Sequence, residues 1–140
     1  TAEITLEGEG ATVLFSQNNS LTSLVSGNSA TISGGDLASI VLNQRGSGNV
    51  ADLQVSGLNN SAGLRQFGDN NDGSVLVSGN NNSGNLFQQG DGNSYTLTVT
   101  GTDTNVTFRQ IGDNLSSASG IGPSVISNGG TVQITQTVTR

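Results

Sequence analysis

Glutamine and glycine return in this chain every 22 residues, with Gln44, Gln66, Gln88 and Gln110 at one phase and Gly46, Gly68, Gly90 and Gly112 two positions later. Asn49, Asn71 and Asn93 follow five after each glutamine, and Gly35, Gly57, Gly79 and Gly101 precede each by nine. A fixed period of roughly 20 to 50 residues is the signature of solenoids and arrays, whose end units are atypical. Both end units here are. Gly8 and Gln17 keep the nine-residue offset and mark a degenerate first unit, set apart by extra residues around Ser20 to Ser26. A sixth unit follows Gly112 after an insertion containing Pro123 and closes with VQITQTVTR. The expectation is one domain over residues 1–140, with an irregular first unit at 1–27, regular repeats over 28–115, and an insert plus last unit over 116–140.

Within each unit the pattern alternates. Counting back from the glutamine, one parity carries Leu42, Leu64, Leu86 and Phe108, then Ile40, Ala62, Gly84 and Val106. Counting forward from the asparagine, it carries Leu53, Val75 and Leu97, then Val55, Val77 and Val99. The other parity is mostly Ser, Thr, Asn, Arg and Asp. A period of two is that of a strand. The QxGxxN segments and the runs from VSG or VTG onward are dense in Gly, Asn and Asp and read as tight turns needing positive φ. Two strands per unit, with no helix, can bury their apolar parity only by stacking unit on unit. The expected fold is all-β: a flat two-sheet β-solenoid of about six strand-turn-strand rungs, ~4.8 Å apart and roughly 25 to 30 Å tall.

Composition agrees with strand and against disorder. Hydrophobic residues make up only 31% and charged residues 10%, but there is a single proline and much Val, Ile and Thr. With a net charge of −6 and four basic residues, all arginine, the chain has no phosphate-tracking groove, which argues against nucleic acid. No apolar run approaches the roughly 20 residues of a membrane-spanning helix. No basic-plus-apolar leader precedes Thr1, which suits a mature exported chain and a cytosolic one alike. The absence of cysteine removes disulfides, zinc fingers and thiol chemistry. Without histidine or cysteine, and with carboxylates in turns, catalysis has no candidate residues. GDGN is not a phosphate loop, because no lysine or strand-to-helix transition follows.

A lone buried glutamine amide left unpaired costs on the order of 1–3 kcal/mol. In a column each amide N–H reaches the carbonyl oxygen of the next, as in cross-β ladders. The expected polar ladders are therefore Gln44, Gln66, Gln88 and Gln110, and Asn49, Asn71 and Asn93. The terminal members and the outermost strand edges are left open, an edge liability that another copy relieves. Glu3, Glu7 and Glu9 are placed to blunt or register one end. At the other, Val132, Ile134 and Val138 alternate with threonine as a bare strand ready to extend the polymer.

The run LNQRGSGNVADLQV resembles the repeat of curlins, the subunits of bacterial curli amyloid fibres. Gln44, Gly46, Gly48, Asn49 and Ala51 match its Gln-x-Gly-x-Gly-Asn-x-Ala core, as do Gln66, Gly68 and Asn71, and Gln88, Gly90, Gly92 and Asn93; Gln110 and Gly112 match in part. The resemblance is good over about residues 35–115 and poor at the ends. Val55, Val77 and Val99 replace the family's second glutamine, Ala38, Asn60, Asn82 and Thr104 its serine, and Leu115 the fourth asparagine. The chain is thus similar to divergent members, for example the curlin-like proteins that anchor the holdfast of stalked bacteria. The resemblance implies secretion across both membranes as an unfolded chain, then self-assembly at the bacterial cell surface into an extracellular adhesive fibre that scaffolds biofilm matrix. The implied partners are copies of itself and a nucleator or outer-membrane anchor protein, with no cofactor.

Several residues leave alternatives open. Asp69, Asp91 and Asp113 form a turn column that either collects calcium or consists of ordinary turn residues. Tyr95, in a slot held by Ala51 and Gly73 in neighbouring units, points inward into space left by Gly73 and Gly84, or outward from a bulge. Phe67, Phe87, Ile111 and Leu76 fall on the outward parity, and Arg65 and Arg109 flank Phe87 in its column. That stripe is either a cation–π surface for lateral contact or partner binding, or unspecific surface packing. A monomeric solenoid such as an ice-binding protein is the rival function, suggested by Thr96, Thr98 and Thr100. Their equivalents Asp52, Gln54, Ser56 and Ser74, Leu76, Ser78 make that array one rung deep.

Overall fold

The structure, a computed structural model, describes residues 1–7, 9–18, 27–116 and 124–138. Gly8, the insertion at Ser20 to Ser26 and Pro123, singled out above, lie outside the described residues. Every regular element among the described residues is a strand. In order they are β1 (Ala2–Leu6), β2 (Thr12–Asn18), β3 (Ser29–Gly34), β4 (Ser39–Arg45), β5 (Val50–Leu58), β6 (Ser61–Phe67), β7 (Asp72–Asn80), β8 (Ser83–Gln89), β9 (Ser94–Ile111) and β10 (Ser124–Thr137).

All pairing is parallel and joins each strand to its equivalent one turn away. One sheet runs β1-β3-β5-β7 into the first half of β9 and of β10. The facing sheet runs β2-β4-β6-β8 into their second halves. The chain is therefore a β-solenoid of stacked layers, which we number 1 (β1 and β2) to 6 (β10). The 22-residue spacing is kept between β4, β6, β8 and β9, as in Leu42↔Leu64↔Leu86↔Phe108. The spacing departs from 22 at layers 1 and 6, where Phe15 pairs Leu42 and Phe108 pairs Ile134, and it is one residue shorter between β3 and β5, where Ile32 pairs Leu53. The extra residues lie between strands, so column identity survives at both ends.

Parity explains the interior. Inward residues such as Leu53, Leu64, Val75, Leu97 and Val99 have no exposed surface, and Leu42, Leu86, Val55, Val77 and Phe108 are buried with them. Burying such a side chain contributes roughly 1.5–3 kcal/mol, and only layers above and below make the burial complete. The ends show this. Val13 and Phe15 in layer 1 and Val125, Val132 and Ile134 in layer 6 pack against the core but are only partly buried.

The turns need left-handed backbone at fixed places. Gly68 has a φ of 119°, and a Cβ there would lie 2.2 Å from the Gly90 carbonyl oxygen in the next layer. Asn59, Asn70, Asn81, Asp103 and Asn114 take φ between 55° and 58°, a region that short polar side chains tolerate. Asp103 thereby turns β9 from one sheet into the other. Leu37 takes the same conformation at φ 51° without such a side chain.

Candidate functional site

Four of the sequence-derived glutamines lie at the centre of one continuous amide column. Gln17 Nε2 donates to Gln44 Oε1 at 2.6 Å, Gln44 to Gln66 at 2.8 Å, Gln66 to Gln88 and Gln88 to Gln110 at 2.9 Å, and Gln110 to Gln136 at 3.1 Å. A second bond from Nε2 reaches a backbone carbonyl of the same layer: Ser29, Val50, Asp72, Ser94 and, for Gln136, Ser116. Gln44, Gln66, Gln88 and Gln110 are fully enclosed, so this pairing is what makes their burial tolerable. Gln136 was missed from the sequence because the second insertion shifts its spacing. Its signal is position: it stands two after Ile134 as Gln110 stands two after Phe108.

The asparagines face the other way. The Oδ1 atoms of Asn28, Asn49, Asn71 and Asn93 accept the backbone N–H of Asn49, Asn71, Asn93 and Leu115, each at 3.0 Å. Nδ2 of Asn49 and Asn71 reaches the carbonyls of Gly68 and Gly90, both at 2.8 Å. Glutamine carbonyls thus point toward layer 1 and asparagine carbonyls toward layer 6. A second asparagine column stands at the opposite turn, where Asn60 Oδ1 accepts Asn82 N and Asn82 Oδ1 accepts Thr104 N. Their Nδ2 groups bond the carbonyls of Gly79 and Gly101 at 2.6 and 2.7 Å. Sequence reasoning saw these residues only as replacements for serine. Their recurrence at the period was the available signal. Leu115 ends the first column, and Asn93 Nδ2 is left without a hydrogen-bond partner.

The turn aspartates are engaged with backbone. Asp69 Oδ1 accepts Ser47 N at 2.7 Å, Asp91 Oδ1 accepts Asp69 N at 2.8 Å, and Asp113 Oδ1 accepts Asp91 N at 3.0 Å. Each ties one layer's turn to the next, and no group of three or more His, Cys, Asp or Glu suited to a metal ion occurs among the described residues. Tyr95 points inward, stacked on Phe108 with ring centroids 3.7 Å apart. Its hydroxyl has no hydrogen-bond partner, and burial pushes its pKa up to about 12. On the outer side of the β2–β4–β6–β8 sheet, the Phe67 and Phe87 rings lie 5.6 Å apart, and the Arg109 guanidinium stands 5.2 Å over Phe87.

The two end layers are the places where this order stops. At layer 1, Ile4 and Leu6 continue the inward columns of Ile32 and Gly34 yet are 44% and 43% exposed. At layer 6, Val132, Ile134 and Gln136 continue the columns of Val106, Phe108 and Gln110. Val138 lies just past β10, about half exposed, beside Gly112. The threonines Thr96, Thr98 and Thr100 have Ser74, Leu76 and Ser78 on one side, and Ser124 and Ile126 beside Thr98 and Thr100 on the other.

Compared with known proteins, residues 38–68 match the family model of the curlin associated repeat. The match spans β4 and β6 with the intervening β5, and so includes Gln44, Gly46, Gly48, Asn49, Ala51 and Gln66. No curated protein and no solved structure matches the chain.

Proposed function

We propose that this chain, which carries the curlin associated repeat, is the structural subunit of an extracellular bacterial amyloid-like fibre that grows by head-to-tail addition and serves adhesion and biofilm matrix at the cell surface. The observation that supports this reading best is the continuity of the columns across the two ends. Placed on layer 6 of one copy, layer 1 of the next sets Gln17 over Gln136, Phe15 over Ile134 and Val13 over Val132. Amide meets amide and apolar meets apolar, in the parallel sense used throughout the stack. Such an addition sets the half-exposed Leu6 over Val125 and pairs the open edge of β2 with that of β10. A nucleator or outer-membrane anchor presenting one such layer would start the fibre.

The ice-binding alternative is weakened by the single layer of threonines. The reading has no catalytic component. It is tested by leaving the purified chain to stand and following it by size-exclusion chromatography and electron microscopy. Fibres with a strand spacing of ~4.8 Å along their axis are expected. Gln17→Ala and Gln136→Ala should each slow seeded elongation at least about fivefold, if each loses roughly 1–2 kcal/mol of end-to-end pairing. A persistent monomer, or elongation indifferent to both substitutions, overturns it.

A further inference from the structure

The solenoid has two outer faces of opposite charge. Three of the four arginines, Arg45, Arg65 and Arg109, stand on the outer side of the sheet built from β2, β4, β6, β8 and the second half of β9, which carries no outward carboxylate among the described residues. The outer side of the other sheet carries Glu3, Asp52 and Asp72 and, among the described residues, no arginine. The registers make the two patterns commensurate. Arg65 and Arg109 lie in one column with Phe87 between them, two layers apart. Glu3 and Asp52 lie in one column with Thr31 between them, also two layers apart. The backbone positions of both pairs are therefore separated by about 9.6 Å, twice the strand spacing.

We propose that the arginine–phenylalanine face of one solenoid docks laterally on the acidic face of a second copy of this chain, with Arg65 and Arg109 set opposite Glu3 and Asp52. The arginines belong to layers 3 and 5 and the carboxylates to layers 1 and 3, so parallel neighbours pack with a two-layer stagger. Phe87 holds the Arg109 guanidinium over its ring, which lowers the ordering cost of the contact. Asp52 presents its Oδ2, which accepts the exposed Gln54 amide at 3.0 Å, while its Oδ1 is buried without a hydrogen-bond partner. Staggered side-by-side packing goes beyond end-to-end growth, and it stands or falls independently of it.

The test compares wild type with the double charge reversal Arg65→Glu/Arg109→Glu, at about 20 mM and about 500 mM salt, where the Debye length is roughly 20 and 4 Å. Circular dichroism verifies that the strands are retained. Electron microscopy counts laterally paired filaments, and sedimentation velocity reads a side-by-side dimer when the chain does not elongate. Absence of fibres therefore bears on the proposed function, and absence of lateral pairing bears on this one. Wild type is expected to pair at low salt and separate at high salt, and the reversal to cut pairing at least about fivefold. Mixing the reversal with Glu3→Arg/Asp52→Arg copies should restore pairing. Pairing that ignores salt or survives the reversal overturns the proposal. So does a face that takes up dextran sulfate while wild-type copies remain single.

Discussion

The Tyr95 hydroxyl is a polar group held in the interior without a partner, and a group of that kind costs stability when buried. Tyr95→Phe keeps the stack on Phe108 and removes the unpaired oxygen, so it should stabilise the chain by about 1–2 kcal/mol in a urea melt. A loss of stability would mean that the hydroxyl finds a partner in solution. Raising the pH gives a second check. With its pKa lifted from 10 to about 12, Tyr95 stays protonated in the folded chain while the unfolded chain ionises. Stability is untouched below pH 10 and falls as the pH rises toward 12, and Tyr95→Phe should remove that component. Leu37 offers a second single-residue gain. Its equivalents are Asn59, Asn81 and Asp103, and Leu37→Asn should add about 0.5–1 kcal/mol by suiting the left-handed backbone, measurable as a higher melting temperature. Parity placed Tyr95 on the inward side but left a bulge open, because alternation gives a side chain's direction only while the strand stays regular.

At the level of strand and turn, the glycines of the QxG corners are set by the closeness of successive layers. Gly68→Ala would force a Cβ to within 2.2 Å of the Gly90 carbonyl, at a φ that alanine avoids. We expect a loss of about 3 kcal/mol or more, or failure to fold, read by circular dichroism and thermal melting. A variant melting like wild type would show that the corner can open. These corners and the strand alternation were legible in the sequence because one residue type is forced at each phase. The second asparagine column was not. Asparagine before Ser61 and Ser83 reads equally as a left-handed turn residue, and only the neighbouring layer reveals that Asn60 Oδ1 is an acceptor for Asn82 N. Gln136 escaped for the reverse reason: its chemistry fits the column, but the insertion breaks the spacing that would identify it.

For the molecule as a whole, each layer bonds only to its neighbours, so stability should grow nearly additively with layer number. Deleting the 22 residues Val50–Asn71 removes one complete layer and brings Asp72 after Asn49, with every column in phase. That variant should retain its strand signal and a cooperative melt at lower temperature, whereas deleting the 21 residues Leu53–Gly73 puts Ser74 directly after Asp52 inside a strand, reverses parity from there on and should not fold. Equal behaviour of the two deletions would show that the columns do not set the register. The opposed pointing of the glutamine and asparagine amides matters on this scale too. A long α-helix accumulates partial charge at its tips because its peptide dipoles add, but here the glutamine side-chain dipoles run against those of the two asparagine columns. Along a filament so built the amide columns work against one another, so the field at the growing tip comes chiefly from the net charge of −6 that every subunit brings, and salt screens it beyond about 8 Å.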